Sequence, residues 1–194
     1  MKIEIWSDIL CPFCYIGKRK FELALEKFPN KTHVEIEWKS FQLDANMQEQ
    51  PAGSIDQYLA ERKGFSIEQA KQLNQHVTCL AAEVGLSYQF DIAIPNNSIL
   101  AHRLLHFAKH QGKQNEMKER LLQAYFTKGE NIGDIETLAS IAGQVGLDKE
   151  EVKSILTSNA YENEVQLDQY HAQQIGVGGV PFFVFNNKYA VSGA

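Results

Sequence analysis

The chain has 194 residues, 44% hydrophobic and 22% charged, with 5 Pro and 13 Gly. That composition excludes a disordered or low-complexity chain and supplies apolar material for one to two domains. Twenty-four acids against 19 bases leave a net charge of −5, and no basic cluster favours nucleic acid or an anionic membrane as partner. No window approaches the roughly 18 consecutive apolar residues of a membrane span. Three cysteines are too few for a disulfide scaffold. The expectation is a soluble globular protein.

The N-terminus lacks a secretory pattern, because Met1 leads at once into Lys2-Ile3-Glu4-Ile5-Trp6-Ser7, which alternates polar and apolar as a strand does. A fold starting at residue 2 points to a cytoplasmic protein. A helix is predicted over 12–28, with Phe21, Leu25 and Phe28 on one face and Pro29-Asn30 stopping it. Val34-Glu35-Ile36-Glu37-Trp38 alternates as a second strand that ends near Phe41-Gln42-Leu43. Residues 45–54, with Pro51 and Gly53, have loop composition.

From Ser54 to about Tyr170 the pattern is almost continuous helix. Ser66 followed by Gln69 fits a capping box, and Leu73, Val77, Leu80 and Val84 form an apolar stripe ending at Gly85. Ser98 opens a helix that runs through Leu104 and Phe107 to near Gly112. Further helices are predicted over 117–125, 135–145, 149–158 and 161–174. Strand signals return in Phe182-Phe183-Val184-Phe185, and Asn186-Asn187 turns the chain into a last strand over 188–192. The plan is α/β: a βαβ unit, a long helical insert, then a helix and a β-hairpin.

Cys11-Pro12-Phe13-Cys14 carries the chemistry. It stands where a strand hands over to a helix in a βαβ context, the placement of a thioredoxin-like redox motif. At the helix N-terminus, unpaired N–H groups and the macrodipole favour a thiolate at Cys11. Pro12 falls at the first helical position, where its missing N–H costs nothing. Cys14 lies three residues on, within reach of a disulfide with Cys11. Cys11 is read as the attacking nucleophile and Cys14 as the buried resolving thiol. A zinc site would need a second pair, and Cys79 stands alone, so no metal is expected. Cys79 lies on the flank of the Leu73–Val84 stripe and is read as a semi-buried structural thiol, with a secondary redox role as the alternative.

These residues, together with Trp6-Ser7-Asp8, the segment Trp38-Lys39-Ser40-Phe41-Gln42-Leu43, residues 97–103 and Gly179-Val180-Pro181-Phe182-Phe183, give the chain its likeness. It resembles the DsbA family of thiol-disulfide oxidoreductases, in its FrnE-like branch, over nearly its whole length. The resemblance implies a thioredoxin-like fold with a large all-helical insertion domain: residues 1–44 and 161–194 in the first unit, 45–160 in the second. It implies a cis Pro181 packed beside the nucleophilic sulfur, with the backbone N–H and C=O of Val180 offered to a substrate strand. It also places His102 near the interface of the two units, lining the active-site cleft.

DsbA proper carries a histidine between its cysteines, where this chain has Phe13. The expected Cys11 pKa is therefore depressed below the free value of about 8.5, but less than DsbA's value of about 3.5. The fold usually closes with another helix after the hairpin, and an uncovered apolar face there would favour a dimer over a monomer.

Other candidates have two readings. Asp8 is a partly buried carboxylate relaying protons to Cys14, or a residue that terminates the strand. His102, His106 and His110 share a helix face at four-residue spacing without a supporting carboxylate pattern; the latter two are surface or packing residues. Lys18 and Arg19 are solvated charge. Phe13, Tyr15, Trp6, Phe182 and Phe183 form an apolar rim suited to an apolar peptide or other hydrophobic ligand, or else pack in the core.

The expected reaction is attack of the Cys11 thiolate on a protein or peptide disulfide, followed by resolution by Cys14. No metal or organic cofactor is needed, and glutathione or a protein reductant resets the pair. Two alternatives remain: a glutathione-dependent isomerase or transferase of the kappa or 2-hydroxychromene-2-carboxylate isomerase type, and a peptide-binding module without catalysis.

Overall fold

The computed structural model describes residues 1–48 and 53–194; Pro51, assigned above to a loop, lies outside the described residues. β1 (Lys2–Ser7) turns Ile3 and Ile5 into the core by its alternation. Helix α1 (Pro12–Glu26) then crosses over to β2 (Glu35–Ser40), which lies parallel to β1. At the other end of the chain, β3 (Phe182–Phe185) runs antiparallel to β1, and β4 (Tyr189–Ser192) antiparallel to β3. The sheet order is β2-β1-β3-β4. Asn186 and Asn187 both take left-handed backbone, at φ 50° and 54°, as a two-residue hairpin turn requires. Ile3, Ile5, Trp38 and Phe183 form the core of this sheet, with Phe21 of α1 packed on it. α1 ends two residues earlier than predicted, and Phe28 is exposed rather than continuing its apolar face.

Among the described residues seven helices separate β2 from β3: α2 (Ile55–Lys63), α3 (Ile67–Glu83), α4 (Ile99–His110), α5 (Gln114–Lys128), α6 (Ile135–Gln144), α7 (Lys149–Thr157) and α8 (Glu162–Gln174). Their core centres on Leu104, Phe107, Leu121, Leu122 and Leu138, and it continues into Ile9, Tyr15 and Ile16 around the start of α1. The helical insertion and the sheet unit therefore share packing where the cysteines sit. No helix among the described residues is long and apolar enough to cross a membrane.

Local chemistry explains most boundaries and corrects two. Ser66 and Gln69 form the expected capping box, and Ser54 with Gln57 forms a second one that opens α2. Ser98 does not cap α4; Asn97 does, its side-chain oxygen accepting the Ile99 N–H at 2.9 Å. The buried face of α3 is Ala70, Asn74, Val77 and Ala81. Leu73 is displaced from that face and lines a cavity beside the cysteines.

Candidate active site

Strand β1 ends at Ser7, and Asp8–Leu10 turn the chain so that Cys11 becomes the N-cap of α1 with extended backbone, φ −89° and ψ 110°. Pro12 takes the first helical position. The first turn then closes, the Cys14 N–H donating to the Cys11 carbonyl at 3.0 Å. Both thiols are free, and both are buried, Cys11 at 4% exposure and Cys14 at 0%. The loop before β3 meets them from the other side of the sheet unit. Its Val180–Pro181 peptide bond is cis, and the Val180 carbonyl accepts from Cys11 Sγ at 3.3 Å. Gly17 makes this approach possible: a Cβ there would stand 2.8 Å from Pro181 Cγ.

The two sulfurs face different surroundings. Cys11, Pro12, Phe13 and Val180 line a cavity of about 340 Å³, closed on its far side by Leu73 and Phe126 from the helical insertion. Cys14 does not line it. Behind Cys14 lies a sealed polar layer. Asp8, fully buried, accepts from the backbone N–H groups of Leu43 at 2.7 Å and Leu10 at 3.3 Å, and from His102 Nε2 at 3.2 Å. Burial pushes the Asp8 carboxyl up, yet these donors, His102 foremost, bring it below its ordinary value. Burial holds His102 down, so a neutral imidazole donates Nε2–H to an ionised Asp8.

The thiols titrate as a pair. For Cys11, the hydrogen bond shared with Cys14, burial and the like charge of Cys14 push the pKa well up. For Cys14, burial pushes up, but the Cys11 thiol, the Lys118 ammonium and the Ser7 hydroxyl outweigh it and bring the pKa down. The two directions belong to one shared proton: the pair ionises once, with the Lys118 ammonium and the Ser7 hydroxyl on the Cys14 side of it.

Several other residues stand elsewhere than expected. His102 does not line the cleft; at 0% exposure it is part of the layer behind the cysteines. Asp8 is wholly rather than partly buried, and its three donors join the ends of β1 and β2 to α4. His106 takes the packing alternative of its expected reading, buried against Asp168 and Ser40 at 3.2 and 3.1 Å. Lys18 is 2% exposed, paired with Glu22 and with Glu119 of α5, and Arg19 shares Glu119. The apolar rim consists of Phe13 alone from the five aromatics proposed. Tyr15 is buried with its hydroxyl donating to Glu119, and the Trp6 indole N–H donates to the Asp168 carbonyl. Phe182 and Phe183 point into the sheet packing. The Val180 carbonyl is turned to Cys11 rather than left free. Cys79 is exposed rather than semi-buried.

Two site features had no sequence signal of their own. Tyr88 donates its hydroxyl to the Pro12 carbonyl at 2.6 Å, fixing the first turn of α1 from the insertion. Lys118 is fully buried on α5; a lysine among Met117, Leu121 and Leu122 on one helical face is the pattern that could have marked it. Among the described residues no group of three or more His, Cys, Asp or Glu side chains converges as metal ligands do.

A dithiol on the first turn of α1, set against a cis-proline loop and joined to a helical insertion, defines a thioredoxin-fold protein. The family model of the DSBA-like thioredoxin domain matches residues 2–194, and the chain belongs to that family. YwbO of Bacillus subtilis (strain 168) is 31% identical over 187 residues, 95% of this chain and 86% of YwbO. The crystal structure of a protein described as a probable DsbA oxidoreductase, SCO1869 from Streptomyces coelicolor, is 38% identical with a TM-score of 0.94, covering 100% of this chain and 83% of that one. A 2-hydroxychromene-2-carboxylate isomerase shares the fold at 16% identity, with a TM-score of 0.76 over 100% of this chain and 89% of the other.

Proposed function

We propose that the protein exchanges disulfides through Cys11 and Cys14, acting on protein or peptide disulfides that present apolar side chains. The observation that carries this reading is the division between the two sulfurs: Cys11 lines the apolar cavity, and Cys14 is sealed behind it. As substrate enters, the singly ionised dithiol carries its charge on Cys11 with the remaining proton on Cys14, and the Cys11 thiolate attacks one sulfur of the substrate disulfide. The substrate S–S bond breaks, one substrate thiolate leaves and takes up a proton, and a mixed disulfide remains. Cys14 then loses its proton, attacks Cys11 Sγ and releases the second substrate thiol, so two electrons have passed from protein to substrate. Glutathione or a dithiol protein restores the reduced pair, and the oxidising direction is the reverse. No metal or organic cofactor enters the cycle.

The likeness to a DsbA oxidoreductase over the whole chain supports this reading. We also take residues 1–44 and 161–194 as the catalytic unit and 45–160 as the helical unit that shapes the cavity. In a reducing cytoplasm the dithiol would dominate and reductase, isomerase or repair work would prevail. The test is the equilibrium between the protein and glutathione redox buffers in a Cys79→Ala background. A reversible Cys11–Cys14 disulfide is expected. A potential near thioredoxin's, about −270 mV, would make the protein a reductase, and one nearer DsbA's, about −120 mV, an oxidant or isomerase. Absence of any reversible disulfide would sink the reading in favour of a glutathione-dependent isomerase.

A further inference from the structure

Lys118 is the one lysine among the described residues with 0% exposure and an ammonium that meets no hydrogen-bond partner. Its Nζ lies 5.5 Å from the centre of the Trp38 ring. Two other buried side-chain atoms lack a partner of normal geometry, Ser7 Oγ and His102 Nδ1. Ser7 ends β1 beside Asp8, and His102 is bonded to Asp8. A buried ammonium is expensive unless a negative charge answers it.

Tyr15, next to Cys14, donates to Glu119, next to Lys118, at 2.7 Å, and Tyr15 packs in one cluster with Met117 and Leu121, so α5 brings Lys118 to the dithiol's side of α1. The charged and titratable groups around it are Cys14, Cys11 and Asp8, with Lys18 and His102. Asp8 is already held by two backbone N–H groups and His102. Its charge does not change in the reaction. The thiols are different: the dithiol can supply a thiolate to Lys118, and the disulfide cannot.

We propose that Lys118, delivered by α5 from the helical insertion, is the positioning residue that answers the negative charge of the ionised dithiol and thereby sets the redox poise of the pair. The inference rests on the thiol-disulfide reading above. In reduction of the protein by glutathione, the disulfide and two glutathione thiols give the dithiol and glutathione disulfide. When the dithiol ionises, one proton goes to solvent and its thiolate stays opposite the ammonium. Lys118 therefore favours the reduced form and makes the pair more oxidising. Burial lowers the Lys118 pKa to about 8, with Cys14, Asp8 and Cys11 holding it up, so this bias weakens as the solution becomes alkaline.

The experiment compares the full chain with Lys118→Met, which keeps length and removes charge, and Lys118→Arg, which keeps charge. Lys118→Met is expected to shift the glutathione equilibrium about tenfold toward the disulfide, about 30 mV more negative. Its first thiol pKa, read by ultraviolet thiolate absorbance, should rise, and its melting temperature should not fall. Lys118→Arg should move both redox readouts back toward wild type. A folded Lys118→Met protein with unchanged potential and thiol titration overturns the proposal.

The wild type supplies a second measurement that needs no folded variant. By linkage, the Lys118 Nζ resonance of nitrogen-15-labelled protein should titrate at lower pH in the disulfide form than in the dithiol. Identical titrations in the two forms overturn the proposal. If wild type forms no reversible disulfide, the thiol-disulfide reading itself fails, and this inference fails with it.

Discussion

The two cysteines sit on one turn of α1 and meet opposite environments. In front of Cys11 the walls are mostly apolar, and two of the charged residues lining the cavity engage each other: Asp44 accepts from Tyr58 at 2.7 Å and pairs with Arg62. Behind Cys14 the walls are polar and dry, with Asp8, His102 and Lys118 all at 0% exposure. Helical geometry divides the labour. A three-residue spacing brings two sulfurs together while their flanks belong to different surfaces, so access is supplied by one side and charge by the other. The helical insertion serves both sides, through Leu73 and Phe126 in front and His102 and Lys118 behind.

Removing either sulfur breaks this comparison most severely. Cys11→Ala is expected to lose all covalent capture of a disulfide peptide, while Cys14→Ala captures it and then stalls as a mixed disulfide, as read by intact-protein mass spectrometry. Capture by Cys11→Ala with none by Cys14→Ala would exchange the two roles. A smaller effect is expected at the seam where α1 meets the proline loop. In Gly17→Ala the new methyl lies 2.8 Å from Pro181 Cγ. The protein should lose about 1–3 kcal/mol of stability in urea unfolding, typical of overpacking. An unchanged midpoint would mean that the loop yields freely.

The mildest effect concerns the ion cluster that ties α1 to α5 at the back. Burial pushes Glu119 up, but Arg19 and Lys18 hold its pKa down to about 2 from an ordinary 4.5. A carboxylate lowered on folding adds stability that is present above pH 4.5 and lost as pH falls toward 2. With the Glu119 side chain still 26% exposed, that contribution is about 1 kcal/mol. The difference in urea midpoint between wild type and Glu119→Gln should accordingly shrink across that window; a constant difference would remove the cluster from the account.

The motif, the fold and the order of elements were legible in the chain itself. A strand alternating at period two, Pro12 at a helix start and two cysteines three apart are local features, and local chemistry decides them. The same holds for the Ser66 capping box and the Asn186-Asn187 turn. Charge placement was not legible. Lys18 and Cys79, read from helical position, and His102, read from the resemblance, each stand in another environment than expected. The burial of Lys18 and His102 depends on which distant segment covers them: Glu119 lies 101 residues from Lys18, and Asp8 lies 94 from His102.

Lys118 shows the limit most plainly. On its own helix it is one cation among the charges of α5, and only the packing of that helix against β2 strips its water away and sets it behind the dithiol. Sequence determined which groups could carry the chemistry, because bonding and backbone geometry act over a few residues. Tertiary structure decided which sulfur is reached and what charges surround the pair, because desolvation and Coulomb energy depend on what surrounds a group in space.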